Sequence, residues 1–262
     1  MLWPMTPPPS RPPSLDQSEG IARITLRRPP HRNRLHNEDL VFLVESFQRI
    51  ERDRSVRVLV LDAEVLPERP VFSAGYHAGE FDQGPPAVEF QDVVEALERL
   101  RPVTICMLEG SVYGGATDLV LACDLALGAE GIEMRMPAAA LGLHYYPSGL
   151  RRYVSRLGVS AAKRAFLTAE PLDAQTLLRM GYLQELLPRD ALRARVDTLA
   201  AHIAGLAPLA LETLKQSLDE LARGEWDPAR LRERMDRTMA SEDFAEGRLA
   251  FQEKRKPQWK GL

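Results

Sequence analysis

Short apolar segments alternate with helix-like segments through the first half of the chain, and this order constrains the fold more than any other feature. Residues 38–52 repeat apolar side chains at spacings of three and four, with Asn37 as the predicted N-cap, and residues 88–100 carry a second helical pattern. The predicted strands are short and rich in aliphatic side chains; they are residues 21–26, 56–61, 71–75, 103–107, 124–127 and 134–137. This order predicts an α/β fold with largely parallel strands.

The pattern changes at about residue 160, because only helix-like segments follow. They are residues 160–168, 173–180, 189–205, 208–223 and 228–251. We therefore predict an α/β core over residues 20–195 and a helical C-terminal region over residues 196–262. The helical region is expected to pack on the core or on a neighbouring subunit.

The first 19 residues contain prolines at positions 4, 7, 8, 9, 12 and 13, which favour polyproline II and oppose a helix. We predict a disordered leader over residues 1–19, with a short proline-rich ligand for a partner protein as the alternative. The segment has neither the basic start nor the apolar stretch of a secretory signal.

Charge and cysteine content narrow the classes of partner. The chain has 34 basic and 37 acidic side chains, a net charge of −3, and therefore lacks the basic excess of a dedicated nucleic-acid-binding protein. No stretch approaches the roughly 18 apolar residues that span a bilayer, so no membrane partner is predicted. Cys106 and Cys123 lie in apolar runs without metal-ligand spacing, which predicts a reducing, cytoplasmic compartment and no metal site.

Two segments combine small residues with the end of a predicted strand. Residues 72–77 read Phe-Ser-Ala-Gly-Tyr-His, and residues 110–118 run from a strand through Gly114 and Gly115 into a helix. Backbone N–H groups at such turns, one from each segment, can bind a carbonyl oxygen that becomes negatively charged during a reaction. Each motif alone also fits simple tight packing of the backbone.

In this order, about 40 residues apart, the two motifs resemble those of the crotonase, or enoyl-CoA hydratase/isomerase, superfamily. The likeness runs from Gly20 to Leu262 and includes residues 22–35, 56–62, 136–142, 167–188 and 241–256. The resemblance implies a ββα spiral core, with the helical region 196–262 serving trimerisation into trimers or dimers of trimers. It also implies an acyl-CoA thioester as the substrate and no further cofactor.

The resemblance further assigns residues to the substrate site. The backbone N–H groups of Tyr76 and Gly115 are expected to form the oxyanion hole. The residues expected to contact the substrate are Arg32, Ser73, Ala74, Gly75, His77, Gly114 and Tyr145. For His77, a position at the protein surface is the alternative.

The chain departs from the family at the two carboxylates that act on water in its hydratases. Asp118 stands at the first position, where its carboxylate is one methylene shorter than that of glutamate, and Ala138 stands at the second. Since alanine carries no proton, hydration by two carboxylates cannot run unchanged. Asp118 remains the best candidate for proton transfer. The alternative is a structural role, because the helix dipole favours an aspartate in the first turn of a helix.

The loop after Ala138 holds the other candidates for catalysis. Imidazole groups are common general bases near neutral pH, so His144 is a candidate general base. The alternative is a loop histidine that is hydrogen-bonded to the backbone. In relatives that abandoned hydration, an acid eight residues after the position of Ala138 can carry the chemistry, and here that position is Tyr146. A tyrosine hydroxyl can donate a hydrogen bond or a proton to an enolate.

Three functions follow from these residues. The first is an acyl-CoA enzyme of the enoyl-CoA hydratase/isomerase type, a lyase or isomerase of fatty-acid metabolism. The second keeps the oxyanion hole but hydrolyses, decarboxylates or dehalogenates a CoA thioester. The third is an acyl-CoA-binding subunit with degraded catalysis.

Overall fold

The computed structural model describes residues 10–77, 79 and 86–261. In chain order its strands are β1 (Ser14–Ser18), β2 (Ile21–Leu26), β3 (Val58–Ala63), β4 (Val71–Ser73), β5 (Val103–Leu108), β6 (Ser111–Tyr113), β7 (Leu125–Ala129), β8 (Glu133–Arg135), β9 (Leu172–Asp173) and β10 (Glu185–Leu187). Its helices are α1 (Asn37–Arg52), α2 (Phe90–Glu98), α3 (Ala116–Ala122), α4 (Pro147–Thr168), α5 (Ala174–Arg179), α6 (Arg189–Ala204), α7 (Pro208–Arg223), α8 (Pro228–Met239) and α9 (Glu242–Glu253).

The ten strands of the described residues form two separate sheets. One sheet has the order β1-β2-β3-β5-β7-β10, and the other has the order β4-β6-β8-β9. The units β3-β4-α2, β5-β6-α3 and β7-β8-α4 each add their first strand to one sheet and their second strand to the other. This repetition is a ββα spiral, so the predicted α/β class and spiral core are confirmed.

The centre of the larger sheet forms the core. Strands β2, β3, β5 and β7 are parallel, and in one row Ile24 pairs with Leu61, Leu61 with Cys106 and Cys106 with Ala126. Every residue of β3 is buried, which explains why the segment reads as a continuous apolar run. Helix α6 packs across these four strands. The domain boundary predicted at residue 195 therefore falls inside a helix that belongs to the core.

The N-terminal prediction is wrong for residues 14–18. They form β1, antiparallel to β2, with Ser14 opposite Thr25. The segment follows the prolines and contains none, so each of its backbone N–H groups is available to a ladder. Residues 1–9 lie outside the described residues.

The C-terminal half also differs from its prediction. Strands do continue after residue 160, as β9 and β10, but they have only two and three residues, too few for periodicity to reveal. Helix α4 begins at Pro147, and Gly158, at φ 77°, interrupts it. The single helix predicted over 228–251 is two helices, because the Ser241 side chain accepts the Phe244 N–H at 3.0 Å and starts α9.

Helix α1 differs from its prediction at one residue. His36, and not Asn37, is its N-cap, and the Asp39 carboxylate accepts the His36 N–H at 3.0 Å. Across the described ranges, none of the helices has both the length and the apolar content needed to cross a membrane.

Candidate active site

The two motifs predicted to act together follow neighbouring parallel strands. Strand β4 pairs with β6, with Ser73 beside Val112, so residues 74–77 and 114–116 emerge at the same edge of the smaller sheet. A Cβ atom built on Gly75 would lie 2.8 Å from the Tyr113 carbonyl oxygen and 2.9 Å from the Gly115 nitrogen. Gly75 also has φ +86°, a conformation that side chains oppose. Only glycine lets these two segments approach so closely.

Hydrogen bonds fasten the first segment to the loop before α1. The buried Ser73 hydroxyl donates to the Asn33 carbonyl at 2.7 Å and accepts the Gly75 N–H at 3.1 Å. Leu35 donates its N–H to the Gly75 carbonyl at 3.0 Å, and its own carbonyl accepts the His77 N–H at 2.9 Å. The backbone around residues 75–77 is therefore held on both sides before any ligand binds.

A cavity of about 620 Å³ lies against both segments. Eight of the predicted site residues line it: Ala74, Tyr76, His77, Gly114, Gly115, His144, Tyr145 and Tyr146. Phe90, from α2, lines it too and lies under Gly115, where a Cβ on the glycine would come within 2.8 Å of the ring. Ala138 also lines the cavity and contributes an aliphatic wall.

Four predicted residues do not line the cavity. Ser73 and Gly75 lie behind its wall and shape the backbone. Arg32 is exposed, and its carbonyl accepts the Ala74 N–H at 2.8 Å, so it supports the wall through its backbone. The fourth is Asp118.

Asp118 is completely buried in the first turn of α3. Its Oδ2 accepts hydrogen bonds from Arg152 Nη1 at 2.6 Å and from the Tyr146 hydroxyl at 2.5 Å, while its buried Oδ1 has no hydrogen-bond partner among the residues that the structure describes. Burial raises the pKa of Asp118 above its ordinary value of 3.8, against the opposing effect of Arg152. The residue predicted to transfer protons therefore reaches the cavity only through Tyr146.

Arg152 and Glu98 form the other side of this network, and neither was predicted from the sequence. Arg152 is also fully buried, and its Nε donates to Glu98 Oε1 at 2.9 Å. Glu98 in turn accepts from Arg151 at 3.0 Å. The available signal was the spacing of Arg152 on α4, where it lies on the same helix face as the buried Gly149, three residues earlier. An arginine on an apolar face requires a buried anion.

Tyr145 and Tyr146 stack with ring centroids 4.3 Å apart, and the Tyr145 hydroxyl donates to the Tyr146 oxygen at 3.2 Å. Burial raises the pKa of both phenols, and the negative charge of Asp118 raises them further. Both therefore stay neutral at physiological pH. The order of donors and acceptors runs from Tyr145 to Tyr146 to Asp118.

The two candidate histidines differ in setting. His144 is exposed at the cavity rim. His77 is half-buried, and its ring centroid lies 4.9 Å from that of His36. Arg34, which was not predicted from the sequence, also lines the cavity, and within the described part of the chain its buried Nε has no hydrogen-bond partner.

A metal centre has no support in the part of the chain that the structure describes. There, no three His, Cys, Asp or Glu side chains are arranged to hold an ion. The groups that the site does offer are backbone N–H donors, neutral hydroxyls and a buried carboxylate.

Comparisons with known proteins identify the family of the chain. The family model described as enoyl-CoA hydratase/isomerase matches residues 16–262. The chain belongs to the enoyl-CoA hydratase/isomerase family. It is therefore an enzyme that processes acyl-CoA thioesters in the manner of the crotonases.

Individual relatives of this family show how far the likeness extends. The 2,3-dehydroadipyl-CoA hydratase of Escherichia coli is 28% identical, over 94% of this chain and 98% of its own. The methylmalonyl-CoA decarboxylase of the same organism is 30% identical, over 86% of this chain and 87% of its own. The crystal structure of an enoyl-CoA hydratase from Bacillus anthracis superposes with a TM-score of 0.87 at 25% identity, covering 96% of this chain and 100% of that one.

Proposed function

We propose that this family member forms a thioester enolate, whose oxygen is held by the backbone N–H groups of Tyr76 and Gly115. The observation that carries the proposal is the packing of residues 74–77 against 114–116, with Gly75 in contact with Gly115, on the wall of one cavity. Two donors in fixed positions stabilise a negative oxygen without rearrangement, and each is typically worth about 2.7–4 kcal/mol of barrier.

The aliphatic wall at Ala138 limits the reactions that can follow. Two-carboxylate activation of water needs a second acid there, and a methyl group supplies none. We therefore propose chemistry that needs one proton-transfer route, with Asp118, Tyr146 and His144 as its candidate groups and Tyr145 assisting. Double-bond migration and slow hydration of an enoyl-CoA are the first reactions to test.

Titration with CoA thioesters tests the proposal directly. Butyryl-CoA is expected to bind, and crotonyl-CoA is expected to be consumed by hydration or double-bond migration. Mass spectrometry of the products measures this consumption. Hydratase turnover that survives Asp118→Ala unchanged contradicts the proposed proton-transfer route. Failure of every CoA thioester to bind contradicts the ligand assignment, whereas tight binding without turnover indicates an acyl-CoA-binding subunit.

Decarboxylation is the second candidate. It breaks a carbon–carbon bond to give the same enolate and needs no activated water, which suits a cavity whose second acid position is alanine. The likeness to a methylmalonyl-CoA decarboxylase supports including it. Release of carbon dioxide from malonyl-CoA or methylmalonyl-CoA, with no hydration of crotonyl-CoA, would favour this reaction over the first.

Self-association through residues 196–262 is also proposed, as a trimer or a dimer of trimers. Large apolar side chains are exposed on the C-terminal helices, among them Leu214, Leu218, Met239 and Phe251, and Phe251 is 87% exposed. Phe244, Phe251 and Trp259 also line an apolar groove of about 540 Å³. Burial of such surface drives association.

Light scattering measures this association. The wild-type protein is expected at three or six times its chain mass of 29.4 kDa, and Phe251→Glu is expected to shift it towards the monomer. Arg52→Glu, which alters an exposed charged side chain of α1 outside residues 196–262, is the control and should leave the mass unchanged. A monomeric wild-type protein contradicts the proposal.

The proposed chemistry uses the CoA thioester as substrate and calls for no other cofactor. A cytoplasmic location is proposed from the two cysteines, both of which are free and buried.

A further inference from the structure

Asp118 occupies a family catalytic position yet has no surface on the cavity. One hydrogen bond separates it from the cavity, because the Tyr146 hydroxyl that donates to its Oδ2 at 2.5 Å belongs to a residue of the cavity wall. Within the described ranges, the Tyr146 oxygen accepts one further hydrogen bond, from Tyr145. A phenol oxygen that donates once and accepts once keeps acceptor capacity for a group in the cavity.

We infer that Asp118 takes the substrate's proton through the Tyr146 hydroxyl, which serves as a shuttle between the cavity and the buried carboxylate. This inference rests on the proposed enolate chemistry and deepens it. As the α-carbon C–H bond breaks, its proton joins the Tyr146 oxygen, and the Tyr146 proton passes to Asp118 Oδ2. The C–H electron pair becomes the enolate, whose charge rests on the thioester oxygen beside Tyr76 and Gly115. Tyrosine is unchanged, and Asp118 ends neutral.

The electrostatics of the network favour a shuttle over a tyrosinate base. Burial and the charge of Asp118 raise the pKa of Tyr146, so a free tyrosinate is disfavoured and the phenol must release its proton as it gains one. Burial raises the pKa of Asp118, which makes it a stronger proton acceptor than an ordinary aspartate.

Arg152 and Glu98 act as positioning residues for this carboxylate. Arg152 fixes Oδ2 with a bond of 2.6 Å, and Glu98 fixes Arg152 with a bond of 2.9 Å. The titratable and charged groups around Asp118 come from helices α2 and α4, the loop before α4 and the segment after α5; they are Glu98, Arg151, Arg152, Tyr145, Tyr146, Tyr153 and Tyr182. Among them, Glu98 raises the pKa of Asp118 by its charge.

Deuterium exchange at the α-carbon of butyryl-CoA in heavy water, followed by mass spectrometry, measures the proton transfer without requiring the natural substrate. Tyr146→Phe and Asp118→Asn are each expected to slow exchange about a hundredfold, the lower end of what a positioned general base contributes. The double variant should be no slower than either one, because both residues serve one route. Binding of butyryl-CoA, measured by calorimetry, should persist in all three.

Tyr153→Phe is the matched control. Tyr153 lies on α4, is buried and hydrogen-bonds Thr117 at 2.6 Å, but it makes no contact with the cavity. Its exchange rate should equal that of the wild-type protein. If Tyr146→Phe is folded by circular dichroism and exchanges deuterium at the wild-type rate, the shuttle is overturned and the proposed function is left intact. If the wild-type protein binds butyryl-CoA but exchanges no deuterium, both the shuttle and the proposed enolate chemistry are overturned, whereas absence of thioester binding overturns the ligand assignment itself.

The pH profile separates proton transfer from a purely structural role. Glu98→Gln removes a negative charge while keeping an oxygen for Arg152, so the pKa of Asp118 should fall. The acidic limb of the exchange profile is then expected to move to lower pH. Glu95→Gln, three residues earlier on α2, should leave the limb in place. An unmoved limb in Glu98→Gln means that Asp118 is not the group that accepts the proton.

Discussion

Replacement of Arg152 by methionine is expected to lower the free energy of unfolding by about 3–5 kcal/mol at neutral pH, the usual effect of leaving one buried charge without its partner. Arg152 is the ion-pair partner of Asp118, and both side chains are almost fully buried. Methionine fills much of the volume but supplies no hydrogen bond to Oδ2. Urea denaturation followed by circular dichroism measures the loss.

The pH dependence of this loss follows from the pKa of Asp118. Burial already raises that pKa above 3.8 in the folded protein, and removing the guanidinium raises it further. A carboxyl whose pKa is higher in the folded than in the unfolded state destabilises the fold as the pH rises through the folded value. The difference between variant and wild type should therefore shrink as the pH falls and Asp118 becomes protonated.

Two further variants check the cause. Arg151→Met removes the neighbouring arginine, which is partly exposed and pairs with Glu98, so it should cost no more than about 1 kcal/mol. The double variant Arg152→Met with Asp118→Asn should be less unstable than Arg152→Met alone, because no unpaired charge remains. Equal losses in the two arginine variants would contradict the buried pair as the cause.

Gly75→Ala is expected to reduce butyryl-CoA exchange by about 10²–10³-fold, the usual effect of losing one oxyanion donor. The new Cβ would lie 2.8–2.9 Å from the backbone of Tyr113 and Gly115, so the two segments must separate. Separation moves the proposed N–H donors away from a common oxygen. Exchange rates at saturating butyryl-CoA measure the effect.

Gly131→Ala is the control for backbone strain. Gly131 has φ +80°, close to the +86° of Gly75, but a Cβ there meets nothing within 4 Å. It should cost about 1–2 kcal/mol of stability without altering exchange. A Gly75→Ala protein that is folded and exchanges at the wild-type rate would count against the proposed oxyanion hole.

The regular elements of the core were predictable because their patterns are local. Strand β2 has the predicted bounds, β3 is displaced by two residues, and α1 differs at its first residue only. Strands β1, β9 and β10 were missed for another reason. They are polar or very short, so they form strands only because they hydrogen-bond to neighbouring strands, which are β2, β8 and β7 respectively.

The candidate site also has a part that was predictable from local sequence and a part that was not. Glycines at the ends of β4 and β6 indicated where a carbonyl oxygen can bind, because positive φ and close approach are properties of single residues. The setting of Asp118 could not be read in this way. Its partners Tyr146, Arg152 and Glu98 lie on other elements, 20 to 34 residues away along the chain, and only their packing excludes it from the cavity.

Residue order thus predicted the α/β class and the two glycine turns, since each depends on periodicity or on backbone freedom that neighbouring residues define. The ββα spiral and the acyl-CoA family followed instead from the resemblance of the ordered motifs to a known family, and the family match over residues 16–262 supports that resemblance. Folding established the buried path from Tyr146 through Asp118 to Arg152 and Glu98. Side chains remote in the chain acquire a common low-dielectric environment only when helices α2, α3 and α4 pack together, and that environment sets both their hydrogen bonds and their pKa values.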